Sequence, residues 1–105
     1  MDQVSQLNIA EILHESGGVR LRYARLLASD GSRWIRHGLF VEYGEDGTIR
    51  SQGSYLNGAE GGVWRDFHVN GKPAAEGTYR NGKEVGTWRF WNAEGVEEPS
   101  TEYGF

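Results

Sequence analysis

Gly62-Val63-Trp64-Arg65-Asp66-Phe67-His68, then Asn70-Gly71, then Ala75-Glu76-Gly77-Thr78-Tyr79 is the stretch that decides the fold. Two runs rich in aromatic and small residues flank an Asn-Gly pair, the strongest short-range signal for a two-residue type I′ hairpin. Folding the chain there sets Trp64 opposite Gly77 and Gly62 opposite Tyr79. Glycine weakens a strand, and an aromatic ring across from it restores the lost packing. The expectation is a hairpin in which the Trp64 indole lies over Gly77.

The unit returns 24 residues away on either side. Gly38, Gly62 and Gly86 correspond, as do Phe40, Trp64 and Trp88, then Tyr43, Phe67 and Trp91, and then Tyr55, Tyr79 and Tyr103. The turn glycines Gly47, Gly71 and Gly95 correspond too, and Gly53 matches Gly77 with Thr101 as the third counterpart. The same pairing then sets Phe40 opposite Gly53 and Trp88 opposite Thr101. Asn57-Gly58 and Asn81-Gly82 read as the turns between units. A fixed period with matching chemistry is the signature of a repeat array, and Gly53, Trp64, Gly77, Tyr79 and Trp88 are its structural residues.

At these positions the sequence resembles the MORN-like repeat family (membrane occupation and recognition nexus) in its bacterial variant. Gly77-Thr78-Tyr79-Arg80-Asn81-Gly82-Lys83-Glu84-Val85-Gly86-Thr87-Trp88 carries the resemblance most closely, and it extends over about residues 36–105. The resemblance implies an all-β fold, an elongated twisted antiparallel sheet of consecutive hairpin repeats. It also implies a binding module, since many bacterial members are antitoxins or immunity proteins of the YwqK type, while others recruit partners or touch membranes. The expected organisation is three repeats of about 24 residues over 36–105, preceded by an atypical capping hairpin and an insertion loop over 1–35. In that first part, 9–15 and 19–27 read as the two strands, with Ser16-Gly17-Gly18 as their turn. Ser29 to His37 reads as a longer loop carrying Trp34.

Composition narrows the function. The chain has 105 residues, 37% hydrophobic and 25% charged, which fits one globular domain with a modest core. With no cysteine, neither a disulfide nor a thiolate metal site can form. No signal peptide is visible in Met1 to Gly18, and no apolar run approaches the roughly 18 residues of a membrane span, so the cytoplasm is the expected compartment. The net charge of −4 falls entirely within residues 36–105. That opposes a nucleic-acid partner, which needs a basic stripe, and anionic lipid.

Catalytic patterns are missing. Gly82-Lys83 is not followed by Ser or Thr, so no P-loop is present, and no nucleophile elbow exists. His14, His37 and His68 lack a metal-ligand spacing. Asp66, His68 and Trp64 share a strand face, but the other repeats change chemistry at those places, which is the mark of a surface. The reading is a non-enzyme without cofactor or metal, and alanine at all three histidines is expected to leave it folded and active.

What remains is binding. Thirteen of the 105 residues are aromatic. Phe40, Trp64, Trp88, Tyr55, Tyr79 and Tyr103 are expected to line one face as a core ladder, and strict alternation puts Tyr43, Phe67 and Trp91 on the other unless a bulge rotates them. No basic residue follows Arg89, whereas Glu94, Glu97, Glu98 and Glu102 do. They read either as a solvated end or as a surface that steers a basic partner. On the second reading the contact residues are Trp34, Trp91, Tyr103, Glu94, Glu97, Glu98 and Glu102. The partner is a basic toxin or effector enzyme, with a second copy joined through a sheet edge as a further arrangement. A scaffolding or membrane-associated role is the alternative.

Overall fold

The computed structural model describes residues 7–105, so residues 1–6 of the expected N-terminal unit lie outside the described residues. Alternating side chains and regularly spaced turn residues give eight strands: β1 Asn8–Leu13, β2 Val19–Leu27, β3 Trp34–Tyr43, β4 Ile49–Leu56, β5 Ala59–Phe67, β6 Pro73–Arg80, β7 Lys83–Trp91 and β8 Glu97–Glu102. They form one antiparallel sheet in chain order, with β1 and β8 at its edges. The sheet is a slab of 48 × 40 × 19 Å with a radius of gyration of 15.7 Å, against about 13 Å for a compact chain of this length. Among the described residues no helix is long and apolar enough to cross a membrane.

The expected pairs are present: Phe40 with Gly53, Gly62 with Tyr79, Trp64 with Gly77, and Trp88 with Thr101. The turn chemistry differs from the expectation at 70–71. Asn70 does not have a positive φ, whereas Gly71 does, at 87°. The His68 N–H donates to the Lys72 carbonyl at 2.8 Å, the Gly71 N–H donates to the His68 carbonyl at 2.9 Å, and the register slips so that Phe67 faces Pro73. This is a three-residue loop with a bulged glycine; the bulge restores the register of a two-residue turn farther along the strands. Residues 44–48 and 92–96 repeat the bond pattern. True type I′ turns lie at the opposite rim, where Asn57 and Gly58 have φ of 50° and 91°, and Asn81 and Gly82 have 51° and 81°.

The insertion loop is shorter than expected. It spans 28–33, and Trp34 to His37 belong to β3, with Trp34 paired to Leu27 and Arg36 to Arg25.

One face of the sheet holds the core. Leu21, Phe40, Trp64 and Trp88 are buried, with Tyr23, Tyr55, Tyr79 and Phe90 packed against them. Rings from Tyr23 through Phe40, Tyr55, Trp64, Tyr79 and Trp88 to Tyr103 contact in sequence at centroid distances of 5.1 to 6.4 Å. From Phe40 onward these contacts are edge-to-face, the favoured geometry for aromatic quadrupoles. The partner of each glycine differs from the expectation. Each indole leans over the preceding strand and not over its hairpin mate: Trp64 donates its ring N–H to the Ser54 carbonyl at 3.0 Å, and Trp88 to the Thr78 carbonyl at 3.2 Å. A Cβ on Gly53 would meet the Trp64 ring, and one on Gly77 the Trp88 ring. Gly77 therefore pairs with Trp64 along the backbone but makes room for Trp88. Among the described residues β8 is an edge strand, with no indole over the third counterpart, and Thr101 carries its side chain there.

Candidate partner-binding surface

Cross-strand pairs share a face, so the register sorts the charges. On the face opposite the ladder a row runs Glu11, Arg22, Val41, Gln52, Arg65, Glu76 and Arg89 across the sheet. Its arginines are neutralised in place. Arg22 pairs with Glu11 at 2.7 Å, Arg65 with Glu76 at 3.2 Å, and Arg89 with Glu97 at 2.9 Å. The Glu11 bond raises the pKa of Arg22; the Arg89 bond likewise holds the Glu97 carboxyl below its ordinary value. Arg22 also stands over the Tyr43 ring, and Arg89 over Trp91. Tyr43 and Trp91 thus lie on this second face, as alternation requires, and neither they nor Phe67 joins the core cluster.

The ladder face is charged differently. One row on it reads Leu21, Glu42, Ser51, Asp66, Ala75, Phe90 and Glu98. Nearer the other rim, Tyr55 stands opposite Glu60, and Tyr79 opposite Glu84. Among the described residues none of Glu42, Glu60, Asp66, Glu84 and Glu98 takes part in an ion pair. Their field is felt on the ladder: the Tyr79 hydroxyl has a raised pKa, first through burial, then through Glu84, Glu60 and Asp66. The cations of this face are at its N-terminal corner, where Arg25 stacks on Trp34 at 4.1 Å and Arg36 lies among Tyr23, Phe40 and Tyr55 at 4.9 to 5.5 Å.

The residues singled out from the sequence are dispersed by this geometry. Trp34 is 45% exposed but sits on β3, remote in strand order from β8. Trp91 and Glu97 pair on the opposite face, with Glu97 held by Arg89 through two hydrogen bonds of 2.9 and 3.1 Å. Glu94 is in the 92–96 turn, where its carbonyl accepts a bond from Lys72. Glu102 accepts a hydrogen bond from the Thr87 hydroxyl on the opposite face. Glu98 and the 48% exposed Tyr103 lie on the ladder face beside the unpaired carboxylates, and Trp34 at the cationic corner of that face. Glu42, Glu60 and Glu84 were not singled out, and Asp66 was weighed only together with His68 and Trp64, although the Asn57-Gly58 and Asn81-Gly82 turns already fix Glu60 opposite Tyr55 and Glu84 opposite Tyr79.

The histidines are fastened to backbone. His14 donates from Nε2 to the Tyr43 carbonyl at 3.1 Å and His68 to the Trp91 carbonyl at 2.8 Å, while His37 Nδ1 accepts the Asn57 N–H at 3.1 Å. Replacing all three removes these bonds and should cost some stability. Asp66 accepts the Ser51 hydroxyl at 2.7 Å and does not meet His68. Among the described residues no three His, Asp or Glu side chains are grouped to hold a metal ion.

No curated protein and no solved structure matches the chain significantly. A family model does match, in two adjacent copies offset by the same 24-residue step. Residues 36–57 and 60–81 are each similar to the MORN repeat variant.

Proposed function

We propose that this protein is a non-enzymatic module that captures a basic protein and neutralises it by direct binding, as an antitoxin or immunity protein does. MORN repeats are in general protein-binding or membrane-associated modules. The observation that carries the reading is the segregation of charge. Among the described residues five carboxylates without ion-pair partners flank the aromatic ladder on one face, while the arginines in the central row of the other are paired. A surface lined by one sign of charge concentrates ligands of the other sign and raises their association rate. The half-buried Tyr55 and Tyr79 rings and the exposed Tyr103 ring supply rigid apolar anchors of the kind that dominate binding energy. Glu98 and Tyr103 extend this surface to β8; Glu97 and Glu102, already engaged, contribute less than the sequence suggests. The same acidity opposes anionic lipid, which places the membrane-associated alternative second. A second copy joined through β8 is disfavoured, because Glu97, Glu98, Pro99 and Glu102 blunt that edge.

The test is retention of host proteins on three immobilised forms: wild type, Glu60→Lys/Glu84→Lys, and Gln52→Lys/Thr78→Lys as an opposite-face control. The expected result is a basic protein held by wild type and control, released by salt, absent from the ladder-face variant, and inhibited in its own activity by the wild type. Equal retention by all three forms would overturn the reading.

A further inference from the structure

Three pairs of directly opposed residues occupy equivalent places on the ladder face: Arg25 with Arg36 across β2–β3, Tyr55 with Glu60 across β4–β5, and Tyr79 with Glu84 across β6–β7. The two Tyr–Glu pairs each place a carboxylate beside a ring, the surroundings that favour a Lys or Arg head. Arg36 already stands 5.5 Å from the Tyr55 ring and donates to its hydroxyl at 3.5 Å, so Glu60 is the open group of the first pair, and the second offers both Tyr79 and Glu84. The Arg–Arg pair is the reverse. Like charges directly opposite one another disfavour a sheet, and neither arginine has an ion-pair partner among the described residues. Arg36 is held in place by the rings of Tyr23, Phe40 and Tyr55, and Arg25 by Trp34 and by the Asn8 side chain at 3.0 Å. Aromatic stacking keeps both guanidinium groups on the surface with donors left for an anion.

Successive pairs are two strands apart, which is about 9.6 Å at the usual strand separation. A ligand crossing the strands must present its charges at that interval and on one side. An extended chain covers about 10 Å in three residues, but an odd number of residues turns the second side chain to the opposite face. A helix covers about 10.5 Å in seven residues and comes back to within about 20° of the same side.

We infer that the ladder face is a docking surface for a helix of the partner that lies across the strands and carries an acidic residue followed by basic residues seven and fourteen positions on. The acidic residue meets Arg25 and Arg36, and the basic residues meet the Tyr55–Glu60 and Tyr79–Glu84 pairs. The Arg–Arg corner fixes the helix direction, because a reversed helix would bring a cation to it. This inference rests on the protein-binding reading above and adds the form of the ligand.

The probes are two alanine-based helical peptides of identical composition. One has glutamate at position 2 and arginines at 9 and 16; in the other the three charged residues are five apart, so that they point to different sides. Each is titrated into the 15N-labelled chain at low salt. The expected result is that the seven-spaced peptide binds about tenfold more tightly, the scale of two exposed ion pairs and one cation–π contact together. Its shifts should centre on Arg36, Tyr55, Glu60, Tyr79 and Glu84. Glu60→Gln/Glu84→Gln, substitutions that keep the rings, should erase the preference, and Arg36→Gln should weaken it. Equal affinity for the two peptides, or shifts centred on Val41, Gln52 and Arg65, would overturn the inference. Either outcome leaves the retention experiment to decide the protein-binding reading separately.

Discussion

Gly77→Ala places a methyl group where the Trp88 ring now sits. The added Cβ would lie 2.5 Å from Trp88 Cγ and closer still to Cδ2 and Cε2. Carbon atoms in contact prefer about 3.5–4.0 Å, so the indole must retreat by more than about 1 Å. It has little freedom to do so, being only 6% exposed and hydrogen-bonded to the Thr78 carbonyl. Overpacking of this kind costs about 1–3 kcal/mol, and complete expulsion of the ring approaches the roughly 3–5 kcal/mol of a Trp→Ala change. The expected loss is about 3 kcal/mol, a large part of the roughly 5–15 kcal/mol that holds a domain together, and a fall in melting temperature of more than about 10 °C. Urea denaturation of four variants provides the assay. Gly61→Ala is the control, since its Cβ would meet only Leu56 at 3.8 Å and its φ is not positive; it should change stability by less than about 1 kcal/mol. Trp88→Ala should be strongly destabilising, and Gly77→Ala added to it should cost little further. An unshifted midpoint for Gly77→Ala, or additive losses in the double variant, would refute the packing of Trp88 over Gly77.

Other expectations are smaller or depend on pH. Burial and the neighbouring glutamates raise the Tyr79 pKa in the fold, so its stabilising contribution is complete below the ordinary tyrosine range and disappears as pH rises through the raised value. Unfolding of Tyr79→Phe should consequently depend less on pH above about 10 than that of the wild type; identical alkaline limbs would contradict this. His68→Ala removes one bond between neighbouring turns and should lower stability by about 0.5–1.5 kcal/mol in thermal melts. Glu97→Gln breaks an ion pair whose partners are both about half exposed, and the same melts should shift little, less than for His68→Ala.

The fold was legible wherever local chemistry repeats. The 24-residue step, the Trp64–Gly77 pairing and the ladder of Phe40, Tyr55, Trp64, Tyr79 and Trp88 could be read directly, because turn positions fix register and register fixes faces. The turn type at Asn70-Gly71 could not. Asn-Gly suits a type I′ turn equally well, and here the Asn70 side chain bonds the Lys72 N–H at 2.9 Å and the Ala93 carbonyl at 2.7 Å, the second contact reaching into the next hairpin. The true neighbour of Gly77 was hidden for a similar reason. Hairpin arithmetic names the residue across the turn, whereas Trp88 arrives from the following strand through a bulge between Glu76 and Thr78. For the site, the run of glutamates after Arg89 drew attention to the C-terminal end. The field that matters depends on which acids lose their charge to a neighbour, and Glu97 and Glu76 do so through cross-strand arginines while Glu60, Glu84 and Glu98 do not. That distinction requires the register of all eight strands together.

The central claim is that the partner is held on the ladder face. The most direct measurement is site-specific photo-cross-linking in cell extract, with the photoreactive residue placed at Glu84 on that face or at Gln52 on the other. The account predicts that the Glu84 position captures a basic protein, that the adduct is lost when Glu60 and Glu98 are reversed to lysine, and that the Gln52 position leaves that protein free. Capture of the same protein from Gln52, with none from Glu84, would contradict it.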